Sequence, residues 1–313
     1  MLGRRNLRIK VMQELYAWEM DRELPVHKLE GHLNGQIGKS VALYVTNLNY
    51  LIEVCNYSLV DKAKRLAKYI QTEEDTSAST SIAANSIIQF LQADDLYVYF
   101  TKTHGTHHYV NQDVVKNLFT ELAAKPKYKE YSAISKPTAE EDKDIINFII
   151  KKVFQGSKEL GHHLEELFIN FDDDNALLLH ILGKYIDAFD PNKENNFFQS
   201  MNVWEEEKKY AIDLLSKTIQ HNGELITYIE PNLKNWEMDR VAVLDLILMK
   251  MAVCELKYFP TIPVKVSINE YIDISKLYST PKSKDFVNGV LDKVKNGMIQ
   301  KNEIKKFGRG LME

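Results

Sequence analysis

The sequence predicts an all-α protein. Its 313 residues include only 13 glycines and 8 prolines, and so few helix breakers over this length favour long helices over a turn-rich β architecture. Apolar residues also recur at the spacings of three and four that place them on one face of a helix. Because a mass of 36.3 kDa is large for one hydrophobic core, we expect two lobes.

The first helix is predicted at residues 4–20. Its apolar side chains form one stripe at spacings of four, four and three, made by Leu7, Val11, Leu15 and Trp18. With a rotation of about 100° per residue, Arg5, Arg8 and Tyr16 fall together on the adjoining flank of this helix. The flank therefore combines cations with an aromatic ring.

The middle of the chain is predicted as a series of helices separated by polar loops. Pro25 and the glycines of residues 31–38 are expected to break the pattern before the first of them. The predicted helices cover residues 39–71, 82–100, 113–124, 138–154, 158–169 and 175–189. The loops include residues 72–81, 101–108 and 126–137. Residues 96–100 (LYVYF) have strand character, and Thr138 is expected to be a helix N-cap.

The last third of the chain is also predicted to be helical. Residues 204–229 form one long helix in this prediction, and residues 266–277 form another. Residues 239–258 are apolar on nearly every face, which indicates a central buried helix. Thr280 and Pro281 are expected to be the N-cap and the first residue of the final helix.

Charge is distributed unevenly along the chain. The net charge is −4 and the isoelectric point is about 6.2, so no global positive field would gather nucleic acid. Both ends are nevertheless basic, because four cations precede the first acid, Glu14, and six more lie in the tail. Those tail cations are Lys293, Lys295, Lys301, Lys305, Lys306 and Arg309. Any nucleic acid must therefore bind a local patch.

Several other classes of site find little support. The two cysteines form no CxxC pair, so two buried thiols are expected rather than a zinc cage or a disulfide. The histidines at residues 104–108 and 162–163 and the acids at residues 172–174 lack the spacing of a metal site. There is no phosphate-binding glycine loop and no catalytic constellation, so we expect no cofactor and no enzyme activity. Without a secretory signal or an apolar stretch of membrane-spanning length, the protein is expected to be cytoplasmic.

Two blocks of the sequence resemble the NusB family. Residues 4–21 read RRNLRIKVMQELYAWEMD, and the matching positions are Gln13, Leu15, Tyr16 and Trp18. Residues 262–294 read IPVKVSINEYIDISKLYSTPKSKDFVNGVLDKV, and the matching positions are Pro263, Lys265, Val266, Ile268, Asn269, Glu270 and 286–292. Residues 244–256 are similar to the buried helix of the family that ends in Glu-Leu.

The resemblance implies NusB-type helical bundles with an additional inserted helical lobe. It assigns residues 1–21 and 201–300 to a discontinuous NusB-like RNA-binding domain. Residues 22–200 are then an inserted helical region of unknown role, and residues 301–313 are a basic tail. Deletion of the inserted region would separate an RNA role from a role in protein docking or in extending the bundle.

The resemblance also implies a function. The family binds single-stranded boxA RNA of ribosomal RNA operons jointly with a small-subunit ribosomal protein, NusE, within an antitermination complex of RNA polymerase. The RNA-binding residues that this implies here are Arg4, Arg5, Arg8, Gln13, Tyr16, Lys284 and Phe286. Asp245 matches an acid that contacts the ribosomal protein. Cations suit phosphates, Gln13 suits a base edge, and the rings suit base stacking.

Each of these residues also has a purely structural interpretation. The basic residues can be a solvated helix end, and Phe286 can belong to the core. Asp245 can form an ion pair with Arg240 or Lys250. Asp285 stands where the family usually has a basic residue before the phenylalanine, which weakens the expected phosphate contact.

A ribosomal RNA maturation or methyltransferase-associated subunit is the alternative function. Some ribosomal RNA methyltransferases carry a NusB-like domain ahead of their catalytic domain. Only about 16 residues follow Gly297 here, which disfavours that alternative.

Overall fold

The computed structural model describes residues 3–195, 197–198, 204–233 and 240–311, and within these ranges all regular secondary structure is helical. The predicted all-α class is therefore confirmed. The α-helices are α1 (Arg4–Met20), α2 (Val26–Leu66), α3 (Glu73–Thr76), α4 (Ser86–Ala93), α5 (Asp95–His104), α6 (Gln112–Ala124), α7 (Pro126–Ser132), α8 (Ala139–Phe148), α9 (Lys158–Leu167), α10 (Phe171–Ala188), α11 (Trp204–Gln220), α12 (Asn222–Ile229), α13 (Val243–Tyr258), α14 (Val264–Tyr278) and α15 (Ser283–Gln300). A π-helical segment, Ile149–Phe154, continues α8.

The chain divides into two compact units. Unit 1 comprises Met1–Leu2 and Gly38–Val203, and unit 2 comprises Gly3–Ile37 and Trp204–Glu313. Helix α2 begins in unit 2 and continues in unit 1. The first helix and the last third of the chain thus fold together, although more than 150 residues separate them in sequence.

Unit 2 is built around α13. This helix packs against α1, α11, α12, α14 and α15, and nearly all of its side chains from Ile247 to Leu256 are buried. The predicted central buried helix is confirmed over Val243–Tyr258, which begins four residues later than expected. Residue 239, the predicted start, lies outside the described residues.

Unit 1 has its own core and a buried polar junction. Asp142 on α8 accepts hydrogen bonds from the Tyr131 hydroxyl (2.6 Å) and from the backbone N–H (2.8 Å) and hydroxyl (2.6 Å) of Ser86. This carboxylate therefore joins α4, α7 and α8. Thr138 forms a capping box with Glu141 at the start of α8, which confirms the predicted N-cap.

Two expected breaks are continuous helix instead. The glycines of residues 31–38 lie inside α2, because Leu29, Leu33 and Ile37 recur at a spacing of four and are buried. Residues 126–137 were expected to be irregular, but Pro126 is the first residue of α7, where its missing N–H costs nothing. In both places the apolar periodicity outweighs the residues that usually end a helix.

Several predicted boundaries also differ from the observed ones. Residues 96–100 are helical in α5, because the Asp94 side chain caps that helix. The predicted loop at residues 72–81 contains the short helix α3. His221 interrupts the predicted helix at residues 204–229. The final helix begins at Ser283 without a side-chain cap, so the predicted roles of Thr280 and Pro281 are wrong.

Candidate nucleic-acid interface

A buried carboxylate lies at the centre of unit 2. Glu255 of α13 is fully buried and accepts hydrogen bonds from Arg8 Nε (2.7 Å) and Nη2 (3.0 Å). It also accepts hydrogen bonds from the hydroxyls of Ser267 (2.7 Å), Tyr271 (2.7 Å) and Tyr210. We call these five residues the Glu255 cluster. The cluster joins α1, α11, α13 and α14.

The electrostatics of the cluster favour a charged pair between neutral tyrosines. Burial alone would raise the pKa of Glu255, but the ion pair with Arg8 and the hydrogen bonds it accepts lower that pKa. Burial likewise opposes the charge of Arg8, yet the ion pair with Glu255 raises the Arg8 pKa above its ordinary value. Burial raises the pKa values of Tyr210 and Tyr271 well above 10, so both hydroxyls remain hydrogen-bond donors.

The cluster changes the expected position of Arg8. The helical periodicity placed Arg8 on an open flank with Arg5 and Tyr16, but only 1% of its surface is exposed. Its guanidinium carbon is 5.7 Å from the ring centroid of Tyr210 and 5.6 Å from that of Tyr271. Because α11 and α14 cover this part of α1, a phosphate can reach Arg8 only if the cluster opens.

Two other predicted cations remain at the surface. Arg4 is 41% exposed, pairs with Glu207 at 2.9 Å and lies 5.0 Å over the ring of Tyr210. Arg5 is 43% exposed and donates to Glu270 and Asp273, each at 2.9 Å. The hydrogen bond with Glu270 raises the pKa of Arg5. Exposed pairs of this kind contribute roughly 0.2–1 kcal/mol, so a phosphate can compete for both cations.

The remaining predicted contacts lie further along α1 and on α15. Tyr16 is 42% exposed, and Gln13 is half-buried one turn earlier. Lys284 is exposed in the first turn of α15, and Phe286 is half-buried beside it. Phe286 therefore belongs neither wholly to the core nor wholly to the surface. Asp285, which departs from the family pattern, is exposed next to both.

The contacts along α13 show how these residues are arranged. Arg8 contacts Glu255 near the end of α13, and Glu19 contacts Lys250 further back, so α1 and α13 are antiparallel. The start of α15 lies at the start of α13, because the Ser283 hydroxyl donates to Asp245 at 2.7 Å. Asp245 and Glu255 mark the two ends of this arrangement, and at 1.5 Å per residue they are about 15 Å apart along α13. The predicted residues thus form an extended track rather than one pocket.

Asp245 is buried rather than displayed. It is 4% exposed, its Oδ2 accepts from Ser283, and its Oδ1 has no hydrogen-bond partner among the described residues. Lys250, one of the two alternative partners for Asp245, instead pairs with Glu19 and donates to Asn222 at 2.9 Å. Asp245 therefore helps to fasten α15 to α13.

The role of Glu255 is not among the sequence predictions. An acid in the middle of an apolar helix is rarely buried without a cationic partner, and that signal was available in residues 239–258. Its partner could not be found, because Arg8 is 247 residues away in the chain.

Both cysteines are buried free thiols, as expected.

The two units differ in their balance of charged residues. Residues 38–203 carry 17 Lys and Arg against 23 Asp and Glu, whereas the rest of the chain carries 23 against 21. The predicted cations thus lie in the less acidic unit.

Among the described residues, no group of three or more His, Cys, Asp or Glu side chains is placed to hold a metal ion. Within the part of the chain that the structure describes, none of the helices combines the length and the hydropathy that a membrane span requires.

The fold and the track define an all-helical protein with exposed cations, one exposed ring and one half-buried ring on one bundle. Comparison with known proteins agrees. The NusB family model matches residues 177–296, which begin inside α10 and extend almost to the end of α15. The chain is 42% identical over 106 residues to a transcription antitermination protein NusB of Chloroherpeton thalassium, a match to 34% of this chain and 50% of that protein. It is 44% identical over 91 residues to the NusB of Listeria monocytogenes serotype 4b, a match to 29% of this chain and 71% of that protein.

The chain belongs to the NusB family. Its match spans half the length of the Chloroherpeton protein, and α1 lies outside the residues that the family model matches. No solved structure matches the chain.

Proposed function

We propose that this protein is an RNA-binding transcription antitermination factor. The observation that carries the proposal is the surface of α1, where Arg4, Arg5 and Tyr16 are exposed in the unit that holds most of the NusB match. The curated relatives are named transcription antitermination proteins. The proposed role is one of binding, with no catalytic step.

The proposed mechanism divides the residues into contacts and supports. Arg4, Arg5 and Lys284 supply positive charge for phosphates, which single-stranded RNA requires for affinity. Tyr16 and Phe286 supply rings on which unpaired bases stack, and Gln13 supplies hydrogen bonds to a base edge. The Glu255 cluster holds α1 against α13, so these side chains are preorganised rather than ordered on binding.

A second part of the proposal concerns the identity of the RNA and of the protein that binds with it. We infer that the RNA is a boxA-like single strand of ribosomal RNA operons, bound together with the small-subunit ribosomal protein NusE. The complex then acts within an antitermination assembly of RNA polymerase. Asp245, which is 4% exposed, contributes to this partnership indirectly, by holding the start of α15 through its hydrogen bond with Ser283.

Fluorescence anisotropy with a labelled boxA-like RNA tests the proposal, with and without the purified ribosomal protein. Tyr16→Ala is expected to weaken binding by about five- to 150-fold, the effect of losing one stacked base at roughly 1–3 kcal/mol. Arg5→Gln is expected to lower the slope of log affinity against log salt by about 1, because one phosphate contact is lost.

Arg65→Gln is the matched control, since Arg65 is a surface arginine of unit 1 that pairs with Asp61 at 2.6 Å. It should leave both affinity and salt slope unchanged. If the unmodified protein binds boxA-like RNA no better than a scrambled strand under either condition, the proposed function is wrong.

A further inference from the structure

Residues 303–311, here called the C-terminal strap, fold back onto the end of α13. The Lys306 ammonium donates to the carbonyl oxygens of Glu255 (3.0 Å) and Phe259 (2.9 Å). The Phe307 N–H donates to the Pro260 carbonyl at 3.1 Å. The last carbonyls of a helix lack partners within it and carry partial negative charge, so a lysine is a favourable cap there.

Glycines and backbone hydrogen bonds hold the strap in one path. Gly310 is buried and lies so close to the Pro260 carbonyl that a Cβ atom would not fit. Gly308 has a φ of +55°, which side-chain-bearing residues rarely adopt. The N–H of Glu303 donates to the Met298 carbonyl at 2.9 Å and joins the strap to α15. The path of the strap is therefore specified rather than frayed.

This path turns two side chains outward. Lys306 points in, whereas Lys305 is exposed on one side of it and Phe307 is 59% exposed on the other. Phe307 is held by its backbone and not by burial of its ring. A cation beside a fixed, exposed ring is the combination that binds a phosphate and a stacked base of single-stranded nucleic acid.

The strap also lies beside the track on α1. Phe259, whose carbonyl Lys306 contacts, packs its ring against Tyr210 with 5.5 Å between centroids. Arg4 also contacts Tyr210, with its guanidinium carbon 5.0 Å from the ring centroid. Lys217 adds a further cation 5.1 Å from the Phe259 ring, and Asp213, at 3.6 Å, is its acid partner. One pair of rings thus separates Arg4 from the strap.

We propose that the C-terminal strap is a second RNA contact, which extends the track beyond Arg4 at the end opposite Phe286. Phe307 stacks on a base, Lys305 binds a phosphate, and Lys306 positions both. The inference rests on the proposed RNA-binding function and adds a site to it. It predicts that the protein recognises a strand longer at one end than the α1 track alone requires.

RNA affinity measured against strand length tests this proposal with the full chain. The probes are one boxA-like RNA extended on both sides and two versions trimmed from either end. Phe307→Ala is expected to weaken binding of the extended RNA by about five- to 150-fold, from roughly 1–3 kcal/mol per stacked base. The loss should disappear with one of the two trimmed strands and persist with the other. Phe307→Trp should keep the affinity of the wild type, because it also supplies a ring for stacking. Lys305→Gln should lower the slope of log affinity against log salt by about 1.

Tyr69→Ala is the matched control, because Tyr69 is a fully exposed ring of unit 1 that also follows a lysine. It should change nothing. If the wild-type protein binds the extended RNA and Phe307→Ala binds it equally well, the strap proposal is wrong while the proposed function stands. If the wild type binds none of the strands, both are wrong.

Discussion

Arg8 and Glu255 form a bidentate ion pair, with N–O distances of 2.7 and 3.0 Å, across 247 residues of chain. Neither residue exposes more than 1% of its surface. Residues 38–203, which make up nearly all of unit 1, lie between them in sequence, and the pair joins the first helix to the central helix of unit 2.

Removal of one partner should cost far more than removal of both. Glu255→Gln leaves the buried Arg8 charge with only the more distant Glu270 as a counter-charge, and the loss of a buried ion-pair partner typically costs about 3–5 kcal/mol in the free energy of unfolding. The double variant Arg8→Met/Glu255→Leu should lose less than the single variant. Urea denaturation of the wild type, Glu255→Gln, Arg8→Met and the double variant measures these losses. Glu270→Gln is the control, because Glu270 is partly exposed and contacts Arg8 only at 3.5 Å. Equal losses for Glu255→Gln and Glu270→Gln would contradict the prediction.

Release of Arg5 from an acid should strengthen RNA binding. Asp273 is 39% exposed and pairs with Arg5 at 2.9 Å, so it competes with a phosphate for that guanidinium. Asp273→Asn is expected to raise affinity up to about fivefold at low salt, since exposed pairs are worth roughly 0.2–1 kcal/mol. The gain should fade as salt screens the charges. Asp292→Asn removes another surface acid, which is 50% exposed and pairs with Lys295, and is the matched control. The same gain in both variants would indicate a general charge effect instead.

The hydrogen bond between Ser283 and Asp245 should stabilise the start of α15. Ser283→Ala leaves a buried carboxylate without its one hydrogen bond to a described residue, at a cost of about 1–3 kcal/mol. Hydrogen exchange should then rise in the first turns of α15 and α13. Ser279→Ala serves as the comparison, because Ser279 contacts the Ser283 hydroxyl but not the carboxylate. A loss for Ser283→Ala no larger than that of Ser279→Ala would count against the assignment.

Lys306 should make stability depend on alkaline pH. Burial lowers the pKa of Lys306 to about 8, below its ordinary value of 10.5. Between these two values the unfolded chain binds more protons than the folded chain, so the contribution of Lys306 to stability should rise as pH increases from 8 to 10.5. The denaturation midpoint of the wild type minus that of Lys306→Met, measured across this range, isolates the contribution from that of other groups. A difference that stays flat or falls with pH would show that Lys306 is not desolvated.

The buried junction of unit 1 should be separable from RNA binding. Asp142→Asn weakens the hydrogen bonds from Tyr131 and Ser86, and a loss of about 1–3 kcal/mol is expected. Hydrogen–deuterium exchange should increase in α4, α7 and α8 and stay constant in α1 and α13. RNA affinity should also be unchanged. A parallel loss of affinity would place part of the RNA site in unit 1.

Local signals in the sequence predict the helical class and many of the helix limits. Thr138 caps α8 through atoms only three residues away, and the apolar run of α13 marks a buried helix whatever surrounds it. Signals of this kind are local, because hydrogen bonds and apolar periodicity within a helix depend on near neighbours in sequence. The two blocks that resemble the family are also recognisable without a structure, because the resemblance consists of residue identities.

Which side chains remain available for binding depends on the packing of the helices. Periodicity grouped Arg5 and Arg8 on one flank of α1, but the packing of α11 and α14 buries Arg8 and leaves Arg5 outside. The position of the strap depends likewise on carbonyls at residues 255–260, about 50 residues earlier in the chain. A sequence specifies the faces of its helices through local geometry. Which of those faces another helix covers depends on contacts between residues far apart in the chain, and those contacts form only in the folded protein.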